Sequence, residues 1–184
     1  MPDAAIYNAL VALLTYPEAD YPQRIEASVK VATGDCREQL QQFTVQMHGL
    51  RTDQLQEMFT QTFDLNPTCS LELGWHLFGE NYERGLLLVR VREELRRHGL
   101  AESTELPDHL THVLQLMERM EHETAADFGA ACVLPALEKM LQAVHDKKNP
   151  FENVLLAVRS LLRSQFPEIP LIAPEGEPLL KVLV

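Results

Sequence analysis

The chain has 184 residues, 46% of them hydrophobic and 23% charged, the proportions of one globular domain able to bury a core without disulfides or structural metal. Sixteen Lys and Arg stand against 27 Asp and Glu, a formal charge of −11 that repels phosphate backbones and anionic lipid and argues against nucleic acid as a partner. No apolar run approaches the ~18 residues of a membrane span and no basic, then apolar leader opens the sequence, so the expectation is a cytoplasmic protein with no stable membrane insertion.

Taken in chain order, 3.6-residue periodicity recurs and clean alternation does not, which predicts an all-α fold. Ile6, Leu10, Leu13 and Leu14 form one stripe that ends near Tyr16-Pro17, because the residue before proline is pushed out of helical geometry. A short second helix carries Ile25 and Val29. Asp35 and Glu38 have capping-box spacing ahead of Leu40, Phe43 and Met47, with a stop near Gly49. Thr52 is expected to cap a helix bearing Leu55, Met58, Phe59 and Phe63, and Asn66-Pro67 breaks it. Leu71, Trp75 and Phe78 share the next face.

A long helix from Tyr82 to His98 follows, with Leu86 and Val89, then Leu88 and Leu95, as its apolar side and Gly99 as its cap. Residues 100–106 are polar and lead into Pro107, which suits the first turn of a helix carrying Leu110, Val113, Leu114 and Met117. A helical stretch from Ala125 to Val144 is kinked or restarted at Pro135. Asn149-Pro150-Phe151-Glu152 is a helix start preceding Leu155, Leu156, Val158, Leu162 and Phe166. Prolines at 167, 170, 174 and 178 then forbid a helix. The division expected is a helical domain over 1–166, in halves of about 1–99 and 107–166 joined by a hinge at 100–107, and a Pro-rich tail over 167–184.

Signals for chemistry are sparse. Gly74 and Gly79 have phosphate-loop spacing, but Glu80-Asn81 stands where Lys and Ser or Thr would bind phosphate. No Gly-x-Ser-x-Gly, His-Glu-x-x-His or Glu-x-x-His occurs. His145-Asp146 invites comparison with helical phosphohydrolases, yet residues 147–184 lack the later Asp those need. His109 and His112, with Glu105, Asp108 and His122 nearby, could share a metal. The blander reading has His109 bracing the turn at Pro107 and His112 facing solvent, and it is preferred, with no metal assigned. Cys36, Cys69 and Cys132 lack any Cys-x-x-Cys spacing and read as buried hydrophobes, and Trp75, Phe59 and Phe63 as core. Between Glu102 and Asp127 seven acids face one base, Arg119, which is either a solvated face or a docking surface for a basic peptide.

Three stretches resemble the assembly chaperones of molybdenum oxidoreductases, specifically the nitrate reductase delta-subunit type within the wider TorD-like group. They are Leu13-Leu14-Thr15-Tyr16-Pro17-Glu18-Ala19; Leu55 through Phe63-Asp64, His76-Leu77-Phe78-Gly79-Glu80, Arg84-Gly85 and His98-Gly99-Leu100; and Glu105-Leu106-Pro107-Asp108-His109-Leu110. The resemblance implies a single-domain helical bundle that is not an enzyme and needs no cofactor. It would bind the N-terminal segment of an apo molybdoenzyme catalytic subunit, nitrate reductase alpha or a close relative, until the molybdenum cofactor is inserted. It also implies that Glu105, Pro107, Asp108 and His109 sit at the hinge between halves.

On that basis the client would lie helix-in-groove. Leu110, Leu114 and Met117 would line the cleft, Trp75 and Phe78 would stand opposite, and Glu118 and Glu121, with Asp108, would form an acidic rim. Asp108 and His109 are expected to be partly exposed, so that replacing both costs little stability. The competing readings are a helical enzyme using His109, His112 and their acids with a metal, and a generic helical adaptor.

Overall fold

The computed structural model describes residues 4–145 and 147–167, of which 72% are helical. No strand occurs among the described residues; the one bridge of that kind is an isolated antiparallel pair, Glu72 with His109. Ten α-helices run α1 Ala4–Leu13, α2 Tyr21–Val31, α3 Gly34–Met47, α4 Thr52–Phe59, α5 Leu73–Phe78, α6 Tyr82–Arg97, α7 Leu110–Arg119, α8 His122–Phe128, α9 Leu134–Val144 and α10 Phe151–Gln165. Two five-residue π-turns continue α4 through Thr60–Asp64 and join α8 to α9 through Gly129–Val133.

Local chemistry explains the boundaries. Past Leu13 the Thr15 hydroxyl donates to the Val11 carbonyl, and the buried Tyr21 hydroxyl donates to the Leu13 carbonyl at 2.6 Å, so the start of α2 closes the end of α1. Helix α3 starts one residue ahead of the expected box, with Thr33 at the cap position and Asp35 inside the first turn. Thr52 is the first helical residue of α4; Gln54 Oε1 reaches back to accept from the Arg51 backbone N–H. Gly99, at φ +66°, ends α6 with bonds from its own N–H to Arg96 and from Leu100 N–H to the Leu95 carbonyl, the left-handed stop that favours glycine. Asn149 Oδ1 accepts from Phe151 N–H at the mouth of α10.

Pro135 starts the second half of this helical stretch, one of the two outcomes expected of it. Its missing N–H falls in the first turn of α9, and the preceding π-turn bridges the gap with a Leu134 N–H bond to the Gly129 carbonyl, so the backbone stays helical from 122 to 144. A departure from expectation is the buried face of α6, which is Leu87, Val91, Glu94 and Leu95, while Leu86 and Val89 are exposed at 37% and 51%.

Helix α10 packs against α3, α9 and α1; α1 packs against α2 and α7; and α5 sits on α6 and α9. One continuous apolar core results. Within it Phe43, Phe59, Phe63 and Phe151 form a cluster with ring centroids 5.0–5.6 Å apart, and Tyr16 stacks edge-on to Phe59 at 5.7 Å. Cys36, Cys69 and Cys132 are free and buried, and burial raises all three thiols, Cys69 and Cys132 to about 12. From residue 168 onward the expected tail lies outside the described residues, as does Asp146.

Candidate functional site

The segments on either side of α5 and α7 are latched to each other. Leu73 N–H donates to the Asp108 carbonyl at 3.0 Å and Leu110 N–H to the Leu71 carbonyl at 2.8 Å. Asp108 is fully buried, and its Oδ2 accepts from Gly74 N–H at 2.7 Å, so a side chain 34 residues away closes the first turn of α5. Burial pushes this carboxyl above the usual range; the Gly74 N–H and the Arg84 guanidinium oppose the rise. The Arg84 guanidinium in turn lies over the Trp75 ring at 5.6 Å. Gly74 is required here, because a Cβ at that position would stand 2.7 Å from Asp108 Oδ2.

His109 occupies the cap position of α7. Its Nδ1 accepts from Thr111 N–H and lies 2.7 Å from the Thr111 hydroxyl, which assigns the proton to Nε2 and leaves the ring neutral. Burial lowers its pKa to about 4. His112 is also buried, and it clasps the loop before Pro107: Nε2 accepts from Ser103 N–H at 3.0 Å, and Nδ1 donates to the Leu106 carbonyl at 2.9 Å. The expectation that His112 faces solvent is therefore corrected, whereas the capping role of His109 holds. Arg92 ties the loop to α6 through Glu102 at 2.9 Å.

Between this loop, the end of α1 and the π-turn after α4 lies a cleft of about 570 Å³, inside the ~300–1,000 Å³ range of ligand-binding clefts. Phe59, Phe63, Leu14 and Leu71 make its floor, and Val11 and Tyr16 one wall. Asp64, Glu72 and Glu105 supply three carboxylates, with Asp64 and Glu105 exposed. Among the described residues no lysine or arginine lines it, and its two histidines, His109 and His112, each accept from a backbone N–H. The arrangement suits an apolar, cationic segment of chain.

A metal finds no comparable support. No group of three or more His, Cys, Asp or Glu able to hold an ion occurs among the described residues. His109 Nδ1 and both His112 ring nitrogens are turned to Thr111, Ser103 and Leu106.

The expected site residues do not form one site. Glu105 and His109 line the cleft, and Pro107 is buried in the turn between them, ahead of α7 rather than inside its first turn. Leu110, Leu114 and Met117 are fully buried; they support α7 from the core and do not line the cleft. Trp75 and Phe78 belong to α5, outside the cleft, and Trp75 Nε1 donates to the Pro67 carbonyl at 2.8 Å. Asp108 points inward and is not a rim residue. Glu118, half-buried beside Arg119, stands eight residues along α7 from Leu110, ~12 Å at helical rise, and Glu121 is exposed just beyond the helix.

Val11, Asp64, Glu72, Ser103 and Gln115, which the sequence did not nominate as site residues, also line the cleft. A usable signal was present nonetheless. Leu14 and Tyr16, Phe63 and Asp64, and Glu105 and His109 come one pair from each of the three stretches that carry the family resemblance, and all six meet at this cleft.

Comparison with known proteins decides the family. The profile described as nitrate reductase delta subunit matches residues 28–156. The chain belongs to that family. Among its relatives is the nitrate reductase molybdenum cofactor assembly chaperone NarJ of Escherichia coli (strain K12), 26% identical over 146 residues, covering 76% of this chain and 61% of the relative. Another is the probable nitrate reductase molybdenum cofactor assembly chaperone NarJ of Bacillus subtilis (strain 168), 27% identical over 124 residues, 65% of this chain and 67% of the relative. The chain thus spans somewhat under two thirds of the length of the E. coli relative. No helix among the described residues of this family member is long and apolar enough to cross a membrane.

Proposed function

We propose that this delta-subunit family member is an assembly chaperone without turnover of its own. It binds the N-terminal segment of an apo molybdoenzyme catalytic subunit, of the nitrate reductase alpha type, and holds it until cofactor insertion and before membrane docking. One observation carries the reading: the three stretches typical of the family each bring residues to a single cleft whose floor is apolar and which, among the described residues, is lined by three carboxylates and by no lysine or arginine. An amphipathic client would place apolar anchors on Phe59, Phe63 and Leu71, and basic residues beside Asp64, Glu72 and Glu105. Holding this segment keeps the client from docking while its cofactor pocket is open. The names of the relatives, cofactor assembly chaperones of nitrate reductase, support the same reading.

Titration calorimetry of the full chain with a synthetic peptide of the alpha-subunit N-terminus tests it. The expected result is saturable one-to-one binding that weakens with added salt, as charge-assisted association does. A peptide of the same composition in scrambled order should bind at least tenfold more weakly. Equal affinity for both peptides would overturn the proposal.

A further inference from the structure

Helix α6 keeps an apolar stripe that the fold leaves open. It packs on α5 and α7 with Leu87, Val91 and Leu95 buried, while Tyr82, Leu86 and Val89 are exposed at 78%, 37% and 51%. At 3.6 residues per turn these three and Glu93 fall within about 60° of one another, one row along the helix. An apolar row rimmed by charged residues has the composition of a contact surface.

Charge on the flanks of the row chooses the occupant. Glu83, Arg90 and Arg97 follow one flank within about 40°, and Gly85, Arg92 and Arg96 the other. The acid lies in the first turn and Arg96 and Arg97 in the last. Glu83 has no ion-pair partner among the described residues, and Arg90 holds an exposed 3.7 Å pair with Glu93, of the kind that contributes little. A parallel copy of α6 would set the flank of Arg90 and Arg97 against that of Arg92 and Arg96, cation facing cation. An antiparallel copy brings each flank to its own equivalent and opposes the helix dipoles. With Leu86 opposite the partner's Val89, Glu83 then falls beside the partner's Arg90, twice by symmetry. Gly85 fits the same geometry. A Cβ there would meet nothing within 4 Å in its own chain, so internal packing does not require the glycine, whereas its missing side chain leaves room for the partner's Arg92.

We propose that the exposed face of α6 pairs with the same face of a second copy of this chain, antiparallel about a two-fold axis between Leu86 and Val89. The two surfaces are one self-complementary patch, as a two-fold dimer requires. Contact through a single helix stands at the weak end of specific interfaces, with association at about 10–100 μM. The inference is independent of the reading of the cleft as the client site.

Sedimentation velocity of the full chain tests it, for single proteins and for a mixture. Wild type should move from the 20.9 kDa monomer toward twice that mass as its concentration rises from about 5 to about 500 μM. Val89→Asp should remain monomeric throughout with an unchanged melting temperature, since the site is exposed. Glu83→Arg alone and Arg90→Glu alone should each weaken the dimer at least about fivefold. An equimolar mixture of those two variants should recover wild-type association, because both of its contacts again pair an arginine with a glutamate. Wild type that stays monomeric at about 500 μM would overturn the proposal and leave the stripe to a different protein. A dimer that survives Val89→Asp would also overturn it, by placing the contact elsewhere. So would a mixture no more associated than its two components, which would deny the antiparallel pairing.

Discussion

Asp108 shows how a residue next to a binding cleft serves the fold. Its carboxylate is buried and its acceptor work is done at Gly74 N–H, so Asp108→Ala leaves that N–H unpaired, at a cost of about 1–3 kcal/mol. Asp108→Asn keeps an acceptor oxygen and should lose less. Gly74→Ala, which helix propensity alone would favour, should destabilise as well, because its methyl collides with Asp108 Oδ2. Glu105→Ala, exposed on the rim, should stay within about 0.5 kcal/mol. Urea denaturation of the four variants checks the order; Asp108→Ala as stable as Glu105→Ala would contradict it. Asp108 and His109 are both buried, so the partial exposure expected of the pair is revised, and nothing in the string Glu-Leu-Pro-Asp-His indicates that the Asp crosses to another helix.

His109 gives the same region an acid limit. The unfolded histidine takes up its proton near pH 6.5 and the folded one only near 4, so the unfolded state binds more protons between those values. Stability is complete above about pH 6.5 and falls as pH drops toward 4, by at most about 1.4 kcal/mol per unit. The raised carboxyl of Asp108 acts in the opposite direction, but it is common to wild type and to His109→Asn. Asn still accepts at a helix cap, so thermal melts of His109→Asn should decline less than wild type across pH 6.5–4. Parallel profiles would contradict the assignment.

At the scale of elements, the helices were legible wherever a breaker or cap stood in the sequence. Pro17, Gly49, Gly99 and the Asn149-Pro150 pair each lie at an observed boundary. What periodicity did not resolve was which side of α6 is inside, because Leu86, Leu87, Leu88 and Val89 are contiguous and apolar all round. The choice is made by packing of α5 and α7 against Leu87, Val91 and Leu95. Leu87→Ala should therefore cost about 2–5 kcal/mol and Val89→Ala no more than about 0.5, measured by denaturant midpoint; the reverse order would invert the helix. The π-turns were invisible for a similar reason, since each inserts one residue into a turn without a sequence signature. One of them carries Phe63 inward and leaves Asp64 exposed at the cleft.

For the whole molecule, the charge surplus matters by where it falls. The acidic stretch from Glu102 to Asp127 does not form one face: Glu105 is at the cleft, Asp108 is buried, and Glu118 and Glu121 lie at the far end of α7. The cleft instead brings Asp64 and Glu72, from the segment between α4 and α5, to Glu105 more than thirty residues later, a convergence the acidic window alone does not contain. That convergence is also why Glu105 and His109 were nominated as site residues while Asp64, though it lies in a stretch of the same family resemblance, and Glu72 were not. The measurement that tests the account most directly is calorimetric titration of the alpha-subunit N-terminal peptide into two charge-reversed proteins, Asp64→Lys/Glu105→Lys and Glu118→Lys/Glu121→Lys. The account predicts at least a tenfold loss of affinity and a flattened salt dependence for the first pair, with the second within about twofold of wild type. Loss confined to the Glu118 and Glu121 pair would contradict it.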